Sequence, residues 1–542
     1  CVRPLGRPTR PPRSLTRGTT ELTPGPWRRP PAPASMARAA ALVGLMLAAL
    51  SASAAASPLW DYVHTPDPTY TWYDTGVVLE GTFPCAWEAH VLNVTSQAWM
   101  TANFSTAHIW THQLVVIRPK AGLNPNYTTA HMYITGGGNQ NPGVPSNSSE
   151  DVALSAVLTC AHGTPAATLF QVPNEDIVFA DDPQHSHRGE DAAVGFTWWE
   201  YINNPAMKDH PEVILLFPMT KAAVRAMDTI EAFVAKQWQH TVKDFIVAGA
   251  SKRGWTTWLT SSVDTRVRAG IPIVMDMLNF AAGVMHMWQA YGGWTFAFEP
   301  YWELNITKDL TTEKMVTLAK QIDVLNYKEN LTMPLLVVDS TGDEFFMPDD
   351  DHYWWGDIPS AYRLMVANAE HSMATGLAPL IEGVIAFSWS VLDDTPRPDF
   401  SWTIANGTGA ITVTSKTKPD SAYLKFATTF GDSPRRDFRL IKGDTKADPC
   451  HFISVHVFGK ACINPVLWGW MELDVVQQRD GTYQAVGFLP PPPEGRYRAM
   501  FIDMQYGQEK LSTFRMTTQV SIFPQTFPFP KCEGVGCIGE LV

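Results

Sequence analysis

Two textures of hydrophobic and polar positions divide the chain. In the first, short continuous apolar runs rich in β-branched residues sit between turn formers and helical stretches. Such runs are His112-Gln-Leu-Val-Val-Ile-Arg118, His131-Met-Tyr-Ile-Thr135, residues 168–172, Phe245-Ile-Val-Ala248, residues 271–274 and Leu335-Leu-Val-Val338. Apolar runs of this length, closed by turn residues, read as buried strands. Residues 60–118 read as the first strands. Residues 219–237 place Ala222, Val224, Met227, Ile230, Phe233 and Val234 at helical spacing, which predicts an amphipathic helix. Residues 360–365 read as a further helix leading into a short strand. Buried strands alternating with helices predict an α/β architecture with a mostly parallel, doubly wound sheet. Residues 277–330 do not fit a minimal βα repeat. They are rich in Met and Trp, among them Met277, Met285, Met287, Trp288, Trp294 and Trp302, and read as a helical cap inserted over the sheet edge. In the second texture, after about residue 396, alternating runs such as Ala410-Ile-Thr-Val-Thr-Ser415, Tyr423-Leu-Lys-Phe-Ala-Thr428 and Phe452-Ile-Ser-Val-His-Val457 are separated by turn-rich links. They predict a C-terminal all-β, sandwich-like domain over 396–542, behind an α/β domain over 57–395.

The stretch with the most chemistry follows the strand at 245–248. It reads Gly249-Ala-Ser-Lys-Arg-Gly254 and then continues as a helix. A serine at a sharp strand-to-helix turn, with glycines close by, has the form of a nucleophile elbow. The turn is strained and brings the helix close to the strand, so neighbouring Cβ atoms must be small or absent. The usual pattern is G-x-S-x-G. Here the second glycine is one place late, and Arg253 stands where a small residue is expected.

Partners follow in the order nucleophile, acid, histidine. Asp343 lies 92 residues after Ser251, past the strand at 335–338, and His371 lies 28 residues after Asp343. Each is expected at the carboxyl edge of the sheet, where α/β folds place their sites. Ser251 would attack, His371 would move the proton, and Asp343 would orient the imidazole. Asp339 on the same strand end competes with Asp343, and Asp276 after the strand at 271–274 is a weaker rival. The strand at 131–135 ends in Gly136-Gly-Gly138. Gly137 and Lys252 are the expected backbone donors of an oxyanion hole. No Gly-Lys-Ser/Thr follows these glycines, which excludes a phosphate loop.

Four segments carry a family likeness: Pro218-Met-Thr-Lys-Ala-Ala-Val-Arg-Ala-Met-Asp228, Gly249-Ala-Ser-Lys-Arg-Gly-Trp255, Tyr291-Gly-Gly-Trp294 and Gly342-Asp-Glu-Phe-Phe-Met-Pro348. With these the chain resembles the PhoPQ-activated pathogenicity-related family, which has bacterial members and secreted eukaryotic ones such as the autocrine proliferation repressors. The likeness runs from about residue 60 to the end. It implies an α/β-hydrolase fold and leaves the substrate open. Ala367-Asn-Ala-Glu-His371 departs from the Pro-Asn that tends to precede the histidine in that family.

Composition adds the compartment. Residues 1–35 hold seven Arg, nine Pro, no Lys and one acid, Glu21, and read as untranslated upstream sequence or a targeting extension. Residues 36–56 read as a signal peptide, with a basic start, an apolar middle and small residues before cleavage. That run is too short to span a membrane, and no other spanning stretch is expected. Without residues 1–56 the chain has 33 basic and 52 acidic residues, a net charge of −19. Such an acidic surface argues against nucleic-acid or anionic-membrane partners. Seven sequons (Asn93, Asn103, Asn126, Asn147, Asn305, Asn330 and Asn406) and six cysteines besides Cys1 fit an exported glycoprotein with disulfides. Cys450 with Cys462 and Cys532 with Cys537 are the pairs suggested by closeness in sequence. His185-Ser-His187 could offer two metal ligands but reads as a loop, and no metal or organic cofactor is expected.

The sequence therefore reads as a secreted serine hydrolase acting on a small-molecule, glycan-ester or peptide substrate. Lys252 and Arg253 add positive charge that would suit an anionic substrate group, and the Ser-Lys/Arg elbow is similar to that of glucuronoyl esterases. A second reading is a secreted signalling ligand for a cell-surface receptor, built on a hydrolase scaffold. A third is glycan binding through the C-terminal sheets.

Overall fold

The computed structural model describes residues 57–140, 142–431, 433–450, 461–507 and 513–542. The extension at 1–35, the signal-peptide segment at 36–56 and the alternating run at 452–457 lie outside these.

A nine-stranded sheet organises the first part of the chain. Its strands are β1 (Thr71–Gly81), β2 (Trp87–Ala98), β3 (Ile109–Pro119), β4 (Thr129–Ile134), β5 (Ala166–Leu169), β6 (Asp244–Ala250), β7 (Val267–Ile273), β8 (Leu335–Ser340) and β9 (Ala361–Val366). Their spatial order is β1-β2-β3-β5-β4-β6-β7-β8-β9. The first three strands and the β3–β5 pair are antiparallel, and every pair from β5 to β9 is parallel. The parallel strands are buried on both faces, which is why they read as continuous apolar runs. In β6, Phe245 and Val247 enter one core with Trp255, Trp258 and Leu259 of the helix Lys252–Val263. Ile246 and Ala248 enter the core on the other face, with Leu380, Val384 and Phe387 of the helix Leu377–Leu392.

The insertion between β7 and β8 is helical, with helices Phe280–Tyr291, Glu299–Glu303 and Glu313–Ile322 joined by 3-10 turns. The C-terminal strands run from β10 (Phe400–Ile404), β11 (Ile411–Ser415), β12 (Ser421–Thr428), β13 (Ile441–Gly443), β14 (Ala461–Ile463) and β15 (Gly469–Glu472) to β16 (Val476–Gln477), β17 (Tyr483–Gly487), β18 (Arg498–Gly507), β19 (Thr513–Thr517) and β20 (Ser521–Phe523). All their pairings are antiparallel. The architecture is an α/β-hydrolase fold with a helical cap insertion, followed by separate antiparallel sheets. Leu424, Ile502 and Phe514 of those sheets share a core with Val338 and Leu364 of the main sheet.

Several local expectations are corrected. Residues 360–365 are not a helix. Residues 361–366 form β9, paired in parallel with β8 from Leu335↔Ala361 to Ser340↔Val366. The open edge of β8 supplies backbone partners that outweigh the helical preference of a six-residue stretch. The chain before β1 is not all strand. Residues 58–64 form a helix whose start has Ser57 accepting the Trp60 N–H, with Pro58 in the first turn, a typical N-terminal arrangement. The strand expected at 168–172 runs at 166–169. One helical stretch, Ala374–Leu392, does have the length and hydropathy of a membrane span. Its Leu380, Val384, Phe387 and Val391 are buried in the fold.

Disulfides join Cys450 to Cys462 and Cys532 to Cys537, as their closeness suggests, and Cys85 to Cys160. The last of these closes a separation of 75 residues.

The chain's end fastens the cap. The Trp294 indole donates to the Cys537 and Ile538 carbonyls, Trp302 donates to Ile538, and Trp288 donates to Pro530. The backbones of Trp294 and Val542 also bond. Each buried donor left without its acceptor costs about 1–3 kcal/mol. Truncation at residue 524 should therefore speed amide hydrogen exchange across residues 280–303 while leaving β6 to β8 protected. Unchanged exchange in the cap would show that it holds itself.

Candidate active site

Ser251 stands between β6 and the helix Lys252–Val263 with φ 58° and ψ −128°. A non-glycine residue rarely takes positive φ, and such strain persists only where the surroundings impose it. Here the surroundings are two close approaches. A Cβ at Gly249 would lie 2.6 Å from the Arg253 carbonyl oxygen. A Cβ at Gly254 would lie 2.9 Å from both the Ile273 carbonyl oxygen and the Met275 Cβ. The late second glycine is thus required by β7, on which the first turn of the helix rests.

The three separated residues meet at this turn. Ser251 Oγ lies 2.8 Å from His371 Nε2, and His371 Nδ1 lies 2.9 Å from each Asp343 oxygen. Asp343 Oδ1 also accepts the N–H groups of Phe345 and Phe346, which fixes the carboxylate. The rival acids point elsewhere. Asp276 accepts the Trp354 indole N–H, and Asp339 lies 4.0 Å from the buried Arg363 guanidinium. Burial alone would push the His371 imidazole down. The Asp343 carboxylate outweighs it and holds the pKa above the ordinary 6.5.

Gly137 follows β4, whose last residue Ile134 pairs with Gly249 of β6. The glycine loop therefore runs beside the elbow, and Gly137 at φ 117° takes a conformation that suits glycine. Gly136 is pressed on the Arg253 guanidinium, which leaves no room for a Cβ. Gly137 does not line the cavity at Ser251, whereas Lys252 does.

The cations beside the serine are not free. Glu190 takes Arg253 through two hydrogen bonds of 2.6 and 2.7 Å. Lys252 Nζ lies 2.7 Å from Glu190 and 2.9 Å from Asp191. Burial would raise the Glu190 carboxyl, and the two cations overcome it and hold it low. The expected attraction for an anionic substrate group is thus cancelled inside the protein. His185 and His187 are exposed loop residues, and no cluster of three metal-ligating side chains occurs among the described residues.

The family profile described as PhoPQ-activated pathogenicity-related protein matches residues 59–439. This chain belongs to the PhoPQ-activated pathogenicity-related family. It is 32% identical over 518 residues to autocrine proliferation repressor protein A of Dictyostelium discoideum, a match covering 92% of this chain and 97% of that one. Among solved structures it is similar to acetyl xylan esterase 1 from Thermoanaerobacterium sp. JW/SL YS485, at 14% identity and TM-score 0.40 over 62% of this chain and 92% of that one. It is also similar to a glucuronoyl esterase from Solibacter usitatus, at 11% identity and TM-score 0.37 over 60% and 87%.

In this PhoPQ-related chain, sequence reasoning missed Glu344 although it stands beside Asp343. Its carboxylate accepts the His371 backbone N–H at 3.0 Å. Burial pushes that carboxyl up to about 7, with the charge of Asp343 adding to it. Glu190 and Asp191 were missed as well. The Gly-Glu-Asp helix start that carries them was the available signal.

Glu344→Gln keeps an acceptor for the His371 N–H and removes a negative charge. The His371 pKa, followed through its imidazole proton shifts, should fall in E344Q and fall further in Asp343→Asn, where burial is unopposed. Identical titrations in all three proteins would contradict this electrostatic picture. The linked stability has a definite sign, because the folded pKa is raised. It is fully present below the unfolded imidazole value near 6.5 and is lost as pH rises through the folded value.

Proposed function

We propose that this chain is a secreted serine hydrolase that cleaves an ester or peptide bond through an acyl-enzyme. The observation that carries the reading is the continuous hydrogen-bonded chain from Ser251 through His371 to Asp343, at a strained serine. In the proposed mechanism Ser251 Oγ attacks the carbonyl carbon while His371 Nε2 takes its proton. Asp343 keeps the imidazole in the tautomer that can accept at Nε2 and stabilises the imidazolium. The backbone N–H groups of Lys252 and Gly137 would hold the oxyanion, Lys252 at the positive end of its helix. His371 then gives the proton to the leaving group, and a water activated by the same histidine releases the acyl group. The reading routes no step through a metal or organic cofactor.

Export is part of the same proposal. It is supported by the three disulfides and by exposed sequon residues such as Asn103, Asn126, Asn305 and Asn406. A second reading is a signalling ligand on a hydrolase scaffold, favoured by the name of the Dictyostelium relative, an autocrine proliferation repressor. The two part at the serine. Ser251→Ala should lower hydrolysis of a responsive ester or peptide by about a thousand-fold or more, with the melting temperature little changed. A signalling ligand would keep its full cellular activity in S251A.

A further inference from the structure

The cavity at Ser251 is small and lined by aromatic rings. Phe345, whose ring lies 4.4 Å from that of His371, and Phe346 line it. Phe280, Phe298 and Met277 from the cap line it as well. Its volume is about 30 Å³. A cavity needs about 10–15 Å³ to hold one water, so this space is small and suits a short acyl group better than a long one. An acetyl group has a methyl carbon, a carbonyl carbon and a carbonyl oxygen.

The polar groups at the cavity are matched to one another. Tyr301 donates to Asp191 at 2.9 Å, Asp191 pairs with Lys252, and Lys252 pairs with Glu190, which is closed by Arg253. An added carboxylate or ammonium would find no unpaired opposite charge there, and burying an uncompensated charge is strongly unfavourable. Size and charge thus select the same kind of group.

The bond to be cut has two ends. The leaving group must sit over His371, which returns the proton, and the next residue, Ser372, is exposed to solvent. Lys252, whose N–H would meet the acyl carbonyl, lines this cavity beside Ser251.

We propose that this cavity is the acyl subsite for a small uncharged group, and that the enzyme removes acetyl from O-acetyl esters whose alcohol part extends into solvent. The inference rests on the serine-hydrolase reading. In the reaction Ser251 Oγ bonds the acetyl carbon, and its proton passes through His371 Nε2 to the alcohol oxygen as the ester C–O bond breaks. Water then hydrolyses acetyl-serine to acetate and restores the serine. Nothing beyond water is consumed.

The test uses the purified full chain with p-nitrophenyl acetate, butyrate, octanoate and hemisuccinate, beside S251A. We expect kcat/KM to fall by about ten-fold or more from acetate to butyrate, to fall again to octanoate, and to be lower for hemisuccinate than for butyrate. S251A should be inactive on all four. Activity that depends on Ser251 but is flat or rising with acyl length, or that prefers hemisuccinate, overturns the small uncharged subsite and leaves the hydrolase reading standing. Turnover that survives in S251A removes both, and a folded enzyme that turns over none of the four esters overturns the O-acetyl reading while leaving the peptide-bond form of the hydrolase reading standing. Two further variants, Met277→Ala and Phe346→Ala, should raise the butyrate-to-acetate ratio. Both variants folded, by thermal melting, with an unchanged ratio would also overturn the subsite.

Discussion

The site depends on one close contact, that of the helix Lys252–Val263 with the ends of β6 and β7. The distances left for a Cβ at Gly249 and Gly254 are too short for any side chain there. That contact holds Ser251 at positive φ and turns its hydroxyl toward His371. The apolar packing of Trp255, Trp258 and Leu259 on the sheet supplies the force that keeps it closed. Local strain at the serine is therefore supported by burial spread over a whole face of the fold.

Around this turn the charges are arranged in closed sets. Arg253 and Lys252 follow the serine directly, yet Glu190 and Asp191 consume both. Arg253 also donates to the Val172 carbonyl and lies against Gly136, so the same guanidinium ties the glycine loop to the elbow. On the other side, Asp343 and Glu344 divide the histidine between them. Asp343 takes the ring and Glu344 takes the backbone. The electrostatics of the site are thus directed at positioning its own parts.

How much of this was legible in the sequence follows from the range of each interaction. The elbow and the strand ends are local patterns, the order Ser251, Asp343, His371 is a known sequence of such elements, and the structure brings those residues within hydrogen-bond reach. Cys450 with Cys462 and Cys532 with Cys537 are near in sequence and were legible for the same reason. Cys85 with Cys160 was not, because nothing local to either cysteine points across 75 residues. The pairing of β9 with β8 overrode a local helical reading, and the neutralising acids lie some 60 residues before the cations they bind. The positive charge expected of Lys252 and Arg253 is therefore met by acids that no local pattern points to. The family match runs over residues 59–439 and names no substrate.

The central claim is that Ser251 is an activated nucleophile. The most direct measurement is labelling of the purified chain by a fluorophosphonate probe, with the modified peptide identified by mass spectrometry, beside S251A. The account predicts one label on the wild type, carried by Ser251, and none on S251A. A folded wild-type protein that stays unlabelled while denatured and native samples of a control serine hydrolase behave as they should, or a label on another residue, would contradict it.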